Sequence, residues 1–267
     1  MPSLTSHHRP VIATLALAVV GAALTFAWQT ASGEWDRPGR TGTFQIRSEI
    51  PLGEIKGQEL LREMARLRHA VESTLDLKGP GSPIQVNLFQ SRDSYEAFLR
   101  PRIPAASNRT ALFVENGSSS KIYVCYHPDF EQDVRHESTH AVLHESLPGI
   151  PLWLDEGLAE YFELPSQQRS HDNPYLMELR ELIRLEWGPD LSRLERLTVV
   201  DDLQAADYRE CWAWAHFLLH GPVPAQEQFR EYLKALKSGG PAGRLSDRLR
   251  ACLPDMDVQL INHLQHW

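Results

Sequence analysis

DFEQDVRHESTHAVLHESLPGIPLWLDEGLAEYF, residues 129–162, is the stretch that decides the fold of this 267-residue chain. Asp129, followed three residues later by Gln132, predicts a capping box at the start of a helix that runs to the Pro-Gly pair at 148–149. Pro151 suits the first turn of a second helix, which the proline at 165 ends. The stretch therefore predicts two helices joined by a short turn, with their side chains close to one another.

The segments on either side of this stretch differ in pattern. Before residue 129, segments with the alternating hydrophobic pattern of strands are interspersed with segments that have the pattern of helices. After residue 162 the hydrophobic pattern is almost entirely that of helices. The predicted strands are residues 43–50, 84–89, 111–114 and 121–126, and the predicted helices before the stretch are 57–75 and 93–99. This order predicts an α+β fold, with a mixed or antiparallel N-terminal sheet and helices followed by a mostly helical half.

The N-terminus carries an export signal in this interpretation. Residues 11–28 form an uncharged apolar run after a polar start, which is typical of a signal peptide or of an N-terminal membrane anchor. We assign residues 1–33 to that segment, 34–42 to a polar linker and 43–267 to one domain. The domain is expected to be periplasmic, extracellular or held at a membrane outside the cytoplasm.

Charge and cysteine content narrow the possible functions. The formal net charge is -8 and no long basic run occurs, so nucleic acid is not an expected partner. The cysteines Cys125, Cys211 and Cys252 form no CxxC pair, which argues against a cysteine metal site. An odd count leaves at least one free thiol, and one disulfide stays open.

The first helix of the stretch contains the pattern His-Glu-x-x-His. His136 and His140 lie one turn apart on the same helical face, so both imidazoles can reach one ion at about 2.0–2.1 Å. Glu137 is offset by about 100° around the helix, where it can take a proton from a water on that ion. His144 lies too far from His136 to share the ion and is predicted to be structural or exposed to solvent. The alternative is a helix with incidental histidines.

The second helix carries a pair of acids, Glu156 and Glu160, one turn apart on one face. A third ligand from this helix leaves the fourth position of a zinc ion for water, as catalysis requires. Glu156 is the predicted ligand, and Glu160 is the predicted acceptor for the outer N–H of a zinc-bound histidine. Two alternatives stay open, namely Glu160 as the ligand and both residues as solvated surface acids.

HESTH followed by WLDEGLAEYF resembles the gluzincins, zinc peptidases with an HExxH helix and a glutamate on the next helix. Residues 43–267 are most similar to small bacterial peptidase MA-like proteins of the cell envelope. The resemblance implies one Zn²⁺ ion, a peptide or protein substrate, and peptide-bond hydrolysis with Glu137 as general base. It supports Glu156 as ligand, because the glutamate before the glycine binds zinc in aminopeptidase N-like enzymes, and it supports Glu160 in the outer position.

Further expectations come from the same resemblance. A tyrosine that opens a later helix donates to the oxyanion in aminopeptidase N-like gluzincins, which suggests this role for Tyr208, with a core-edge aromatic as the alternative. The strand at 121–126 is expected to border the cleft and to pair with extended substrate.

The resemblance has gaps. The spacer of 15 residues between His140 and Glu156 is shorter than in aminopeptidase N-like enzymes, and their amine-anchoring GAMEN segment has no counterpart here. An endopeptidase acting on a cell-envelope or extracellular peptide or protein is therefore favoured. A zinc-bound envelope protein that binds a partner without cleaving it is the alternative, and a metal-free scaffold is a second.

Overall fold

The computed structural model describes residues 35–103, 109–116 and 119–267, and within them the chain has the predicted α+β fold. A mixed five-stranded sheet occupies the N-terminal half and helices fill most of the rest. The strands are β1 (Asp36–Thr41), β2 (Phe44–Ser48), β3 (Ile84–Phe89), β4 (Ala111–Asn116) and β5 (Ser119–Cys125).

Two of the described helices lie between strands in chain order, and the others follow the sheet and account for the C-terminal half. Their bounds are α1 (Gly53–Leu75), α2 (Arg92–Leu99), α3 (Phe130–Ser146), α4 (Leu152–Phe162), α5 (Pro174–Arg184), α6 (Leu191–Leu194), α7 (Ala205–His220), α8 (Val223–Lys237), α9 (Leu245–Cys252) and α10 (Met256–His266). The two helices predicted from residues 129–162 are α3 and α4, and they pack against each other. Helix α4 ends three residues before Pro165, because Glu163 is already its C-terminal cap.

The order of strands across the sheet is β1-β2-β3-β5-β4. β2, β3 and β5 run parallel to one another, whereas β1 and β4 pair antiparallel at the two edges. β5 therefore has a neighbour on each side, which makes the prediction that it pairs with substrate wrong. β4 is the edge strand on the side where α3 packs.

The predicted linker at 34–42 is also wrong over part of its length, because Asp36–Thr41 forms β1. Thr41 pairs with Phe44 across a tight turn in which Gly42 has φ +59°, a value that glycine adopts without steric cost. The polar composition of this segment suits an edge strand, where charged residues and proline are tolerated.

Two other predictions meet the structure differently. The apolar run at 11–28 lies outside the described residues, and no helix within them has the length and hydrophobicity needed to span a membrane. Cys125, Cys211 and Cys252 are all free thiols, so the disulfide left open by the sequence does not form.

Candidate metal centre

The candidate centre is formed by His136 and His140 on α3 and by Glu156 on α4. Nε2 of His136 lies 3.5 Å from Oε2 of Glu156, and Nε2 of His140 lies 3.8 Å from the same oxygen. All three residues are buried, with at most 1% of each exposed. The ligand atoms of the three residues lie within 4.8 Å of one another, so the group could hold a metal ion.

A glycine sets the position of Glu156. Gly157 lies where α4 crosses α7, and a Cβ built on it would be 2.8 Å from the carbonyl carbon of Cys211 and 3.3 Å from Cβ of Ala215. Only a residue without a side chain lets the two helices approach this closely. The Glu-Gly pair therefore combines a candidate ligand with the contact that fixes its helix.

The outer nitrogens of both histidines face acidic groups. Nδ1 of His136 lies 2.9 Å from Oε2 of Glu163, and Nδ1 of His140 lies 2.8 Å from Oδ1 of Asp155. Such contacts orient metal-binding imidazoles and leave Nε2 for the ion. Glu163, a helical turn beyond Glu160, takes the position beside Nδ1 of His136, and the outer role of Glu160 stays a prediction.

Glu160 is nevertheless buried near this group. Burial and the negative charge of Glu163 raise its pKa well above the ordinary value, and the positive charge of His136 only partly offsets them. Glu160, Glu163 and His136 form a second group whose ligand atoms lie close enough to hold an ion. Its histidine and Glu163 are already hydrogen-bonded to each other, so this group supports the first rather than replacing it.

Glu163 is held in place from α3. Gln132 donates a short hydrogen bond to Oε1 of Glu163, and Arg135 donates one to its backbone carbonyl. The predicted capping box is wrong for this reason: Asp129 makes no side-chain cap bond, and the side chain of Gln132 points to α4 instead.

His144 extends the contacts of His140 towards the surface. Its Nε2 lies 2.8 Å from Oδ2 of Asp155, the carboxylate that also contacts His140. Nδ1 of His144 lies 3.8 Å from Oε2 of Glu115 on β4. The structural role predicted for His144 is thus confirmed.

His144 and Asp155 each stabilise the charged form of the other. Burial disfavours the charged form of His144, but Asp155 and Glu115 outweigh that effect and raise its pKa to about 10. Burial would raise the pKa of Asp155, yet the positive charges of His140 and His144 hold it below its ordinary value.

Glu137 points into the buried interior without a partner. It is fully buried, and neither of its carboxylate oxygens accepts a hydrogen bond from any described residue. Burial raises its pKa to about 7, against the opposing positive charges of His136 and His140. An unpaired buried carboxylate is costly, and the described residues supply no hydrogen-bond partner for this one.

The acidic side chains of the candidate centre favour positive charge at this position. Both oxygens of Glu156 also lack hydrogen-bond partners within the described chain. Burial lowers the pKa of His136, but the nearby carboxylates of Glu156 and Glu163 outweigh that effect and raise the pKa well above the ordinary value. A site that favours the protonated form of a fully buried histidine is one that stabilises positive charge, which a metal ion would provide.

Tyr208 opens α7 and is 2% exposed. Its hydroxyl finds no hydrogen-bond partner among the residues described. Burial raises its pKa, and the negative charge of Glu156 raises it further, so the phenol stays protonated and lies within electrostatic range of Glu156. The predicted position of Tyr208 beside the centre agrees with this, while its role in catalysis stays a prediction.

Sequence reasoning missed Glu163 and Asp155. Glu163 lies seven residues after Glu156, so the spacing 156, 160 and 163 follows one helical face and could have indicated it. Asp155 directly precedes the predicted ligand, and only the packing of α4 on α3 turns it towards His140. No protein-family model and no curated protein sequence matches the chain, so its residues carry the functional inference alone.

Proposed function

We propose that the chain is a zinc-dependent peptide hydrolase of the gluzincin type. The observation that carries the proposal is the convergence of Nε2 of His136, Nε2 of His140 and Oε2 of Glu156, with the unpaired carboxylate of Glu137 in the next position of the helix. Few other arrangements account for three buried ligand atoms and a free buried carboxylate together.

The residues suit zinc. In a tetrahedral site with bonds of about 2.0–2.1 Å, ligand atoms lie about 3.3 Å from each other. The separations of 3.5 and 3.8 Å from Oε2 of Glu156 are a few tenths of an ångström longer, a difference that small side-chain rotations remove. Two imidazoles and one carboxylate leave a fourth position open, which is the donor set of a catalytic rather than a structural zinc site.

When bound, the ion supplies Lewis-acid activation of water and of the peptide carbonyl. Glu137 takes a proton from the attacking water and later passes it to the leaving amine. Tyr208, protonated and unpaired, donates a hydrogen bond to the oxygen that gains negative charge. Asp155 and Glu163 keep the imidazoles in the orientation that presents Nε2.

The sheet has two edge strands, β1 and β4, to which an extended peptide can add. β4 is the edge strand beside α3, and no strand of the described residues pairs with the side of its backbone that faces away from β5. We infer that a peptide adds to β4 and so lies beside the part of α3 that β4 contacts, at His140 and His144. A peptide from the cell envelope or the extracellular space is the expected substrate, since residues 11–28 predict export.

The test compares the purified zinc-loaded protein with its Glu137→Gln variant on a peptide library. Glutamine keeps the size of the side chain and cannot act as a base, so turnover is expected to fall at least about 100-fold while zinc stays bound. Equal turnover by both proteins contradicts the proposal. No turnover by either protein with zinc bound favours a non-catalytic zinc protein, and less than a tenth of an equivalent of zinc favours a metal-free scaffold.

A further inference from the structure

Arg109 is a buried arginine with an unused donor. It lies two residues before β4 and is 6% exposed. Nη2 donates to Oδ1 of Asp201 at 2.7 Å, and its backbone carbonyl accepts a hydrogen bond from Arg92 at 2.7 Å. Nη1 is buried and has no partner within the described residues. The side chain is thus held from two sides with one nitrogen left unsatisfied.

The ion pair sets where this guanidinium lies. Asp201 belongs to the 3-10 turn Val200–Asp202, which leads into α7. Val200 and Leu203 from the same segment pack around Tyr208. Arg109 therefore joins the segment just before the edge strand β4 to the segment that packs on Tyr208.

Electrostatic effects agree with this location. Burial raises the pKa of both Tyr208 and Tyr95, and in each case the positive charge of Arg109 opposes the increase. After burial, the largest cause at Tyr208 is Glu156 and at Tyr95 it is Glu137. The guanidinium thus lies within electrostatic range of two tyrosines, one of which is also affected by Glu156 and the other by Glu137.

The ion pair with Asp201 neutralises the positive charge of Arg109 only in part. Asp201, its carboxylate partner, is 67% exposed on its side chain and is therefore strongly screened by water. A guanidinium presents five N–H donors in a planar fork that matches both oxygens of a carboxylate. With Nη1 unsatisfied and buried, the group best suited to complete its coordination is a second carboxylate, and none from the described chain reaches it.

We propose that Arg109 binds a carboxylate of the substrate, so that the centre prefers peptides with a negative charge near the bond to be cut. The inference rests on the proposed function, because it assigns a substrate class to the same site. The carboxylate comes either from the free C-terminus of a peptide or from an aspartate or glutamate side chain. Asp201 then acts as a positioning residue that fixes the plane of the guanidinium.

Binding is measured by calorimetric titration of the zinc-loaded full chain in a Glu137→Gln background, so that no peptide is consumed. The probes are acetyl-tetra-alanine with a free C-terminus, the same peptide as its amide, and two amides with a single Asp or Asn in the second position. At least one carboxylate peptide is expected to bind about tenfold or more tightly than its neutral counterpart. The first pair reports on the terminal carboxylate and the second on the side chain.

Arg109→Gln is expected to bring that ratio close to one, and Arg109→Lys to retain part of it because a point charge remains. Arg244→Gln is the matched control, since Arg244 is also ion-paired, to Glu195, in a different part of the fold, and its ratio should equal that of the parent. The comparison between charged and neutral peptides needs no substitution at Arg109, so misfolding of Arg109→Gln does not remove the test.

Equal or undetectable binding of charged and neutral probes overturns the inference, as does a preference that persists in Arg109→Gln. The two proposals fail separately. A carboxylate preference without any peptide hydrolysis by the wild type contradicts the proposed function alone. Hydrolysis that ignores the charge of the peptide contradicts the role of Arg109 alone.

Discussion

Replacement of Gly157 by alanine tests how the fold positions the metal ligand. The new Cβ would lie 2.8 Å from the carbonyl carbon of Cys211, closer still to the carbonyl oxygen, and 3.3 Å from Cβ of Ala215. Two of these atoms belong to the backbone of α7 and cannot rotate away. The contact is relieved only if α4 moves away from α7, and Glu156 moves with it.

The size of the effect follows from two opposing terms. Alanine is better than glycine inside a helix by about 1 kcal/mol. Overpacking a close-packed interior costs about 1–3 kcal/mol, and contacts with rigid backbone belong at the upper end of that range. The net loss is then about 1–2 kcal/mol, which lowers the melting temperature by about 2–8 °C for a domain of this size. Displacement of Glu156 should weaken zinc binding about 10–100-fold.

Calorimetric unfolding of the metal-free protein and competition titration with a zinc chelator measure the two effects. Gly188→Ala is the matched control, because Gly188 is exposed and a Cβ added there would have no neighbour within 4 Å among the described residues. If Gly157→Ala unfolds at the temperature of the wild type and binds zinc equally well, close helix packing does not position the ligand and the reasoning is refuted.

Two further predictions concern histidines outside the ligand set. His144→Gln should weaken zinc binding about tenfold, because Asp155 loses the hydrogen bond that it shares with His144. Unchanged zinc affinity in the chelator titration would show that Asp155 keeps its position without His144. Burial, with the charges of His220 and His263, lowers the pKa of His216 to about 3. Between pH 6.5 and pH 3, His216 therefore binds a proton in the unfolded chain but not in the folded protein. The free energy of unfolding should therefore fall as the pH is lowered through this range, and His216 contributes at most about 1.4 kcal/mol per pH unit to the fall. The fall should be less steep in His216→Gln. If denaturant titrations give the same dependence on pH for both proteins, the prediction is contradicted.

The convergence of His136, His140 and Glu156 was predictable because it depends on spacing within helices. The histidines one turn apart and the glutamate on the next helix need only regular α3 and α4 to converge, and local sequence specifies both helices. Glu137 follows from the same geometry. The α+β order of strands and helices was readable for a similar reason, since each element has its own hydrophobic period.

The supporting contacts depend on packing between elements and were not predictable in this way. Glu160 and Glu163 both lie on the face of α4 that carries Glu156, and only the position of His136 on α3 selects Glu163. Arg109 follows a proline-rich segment and meets Asp201 across 92 positions of sequence. β1 has the composition of a linker, and its pairing partner rather than its own pattern makes it a strand.

Anomalous diffraction at the zinc edge tests the central claim most directly. Crystals of the full chain loaded with one equivalent of zinc should give one strong peak, bonded to Nε2 of His136, Nε2 of His140 and a carboxylate oxygen of Glu156. The fourth position should be open on the side of Glu137. A peak among His140, His144 and Asp155, or a protein that retains no zinc, would contradict the account.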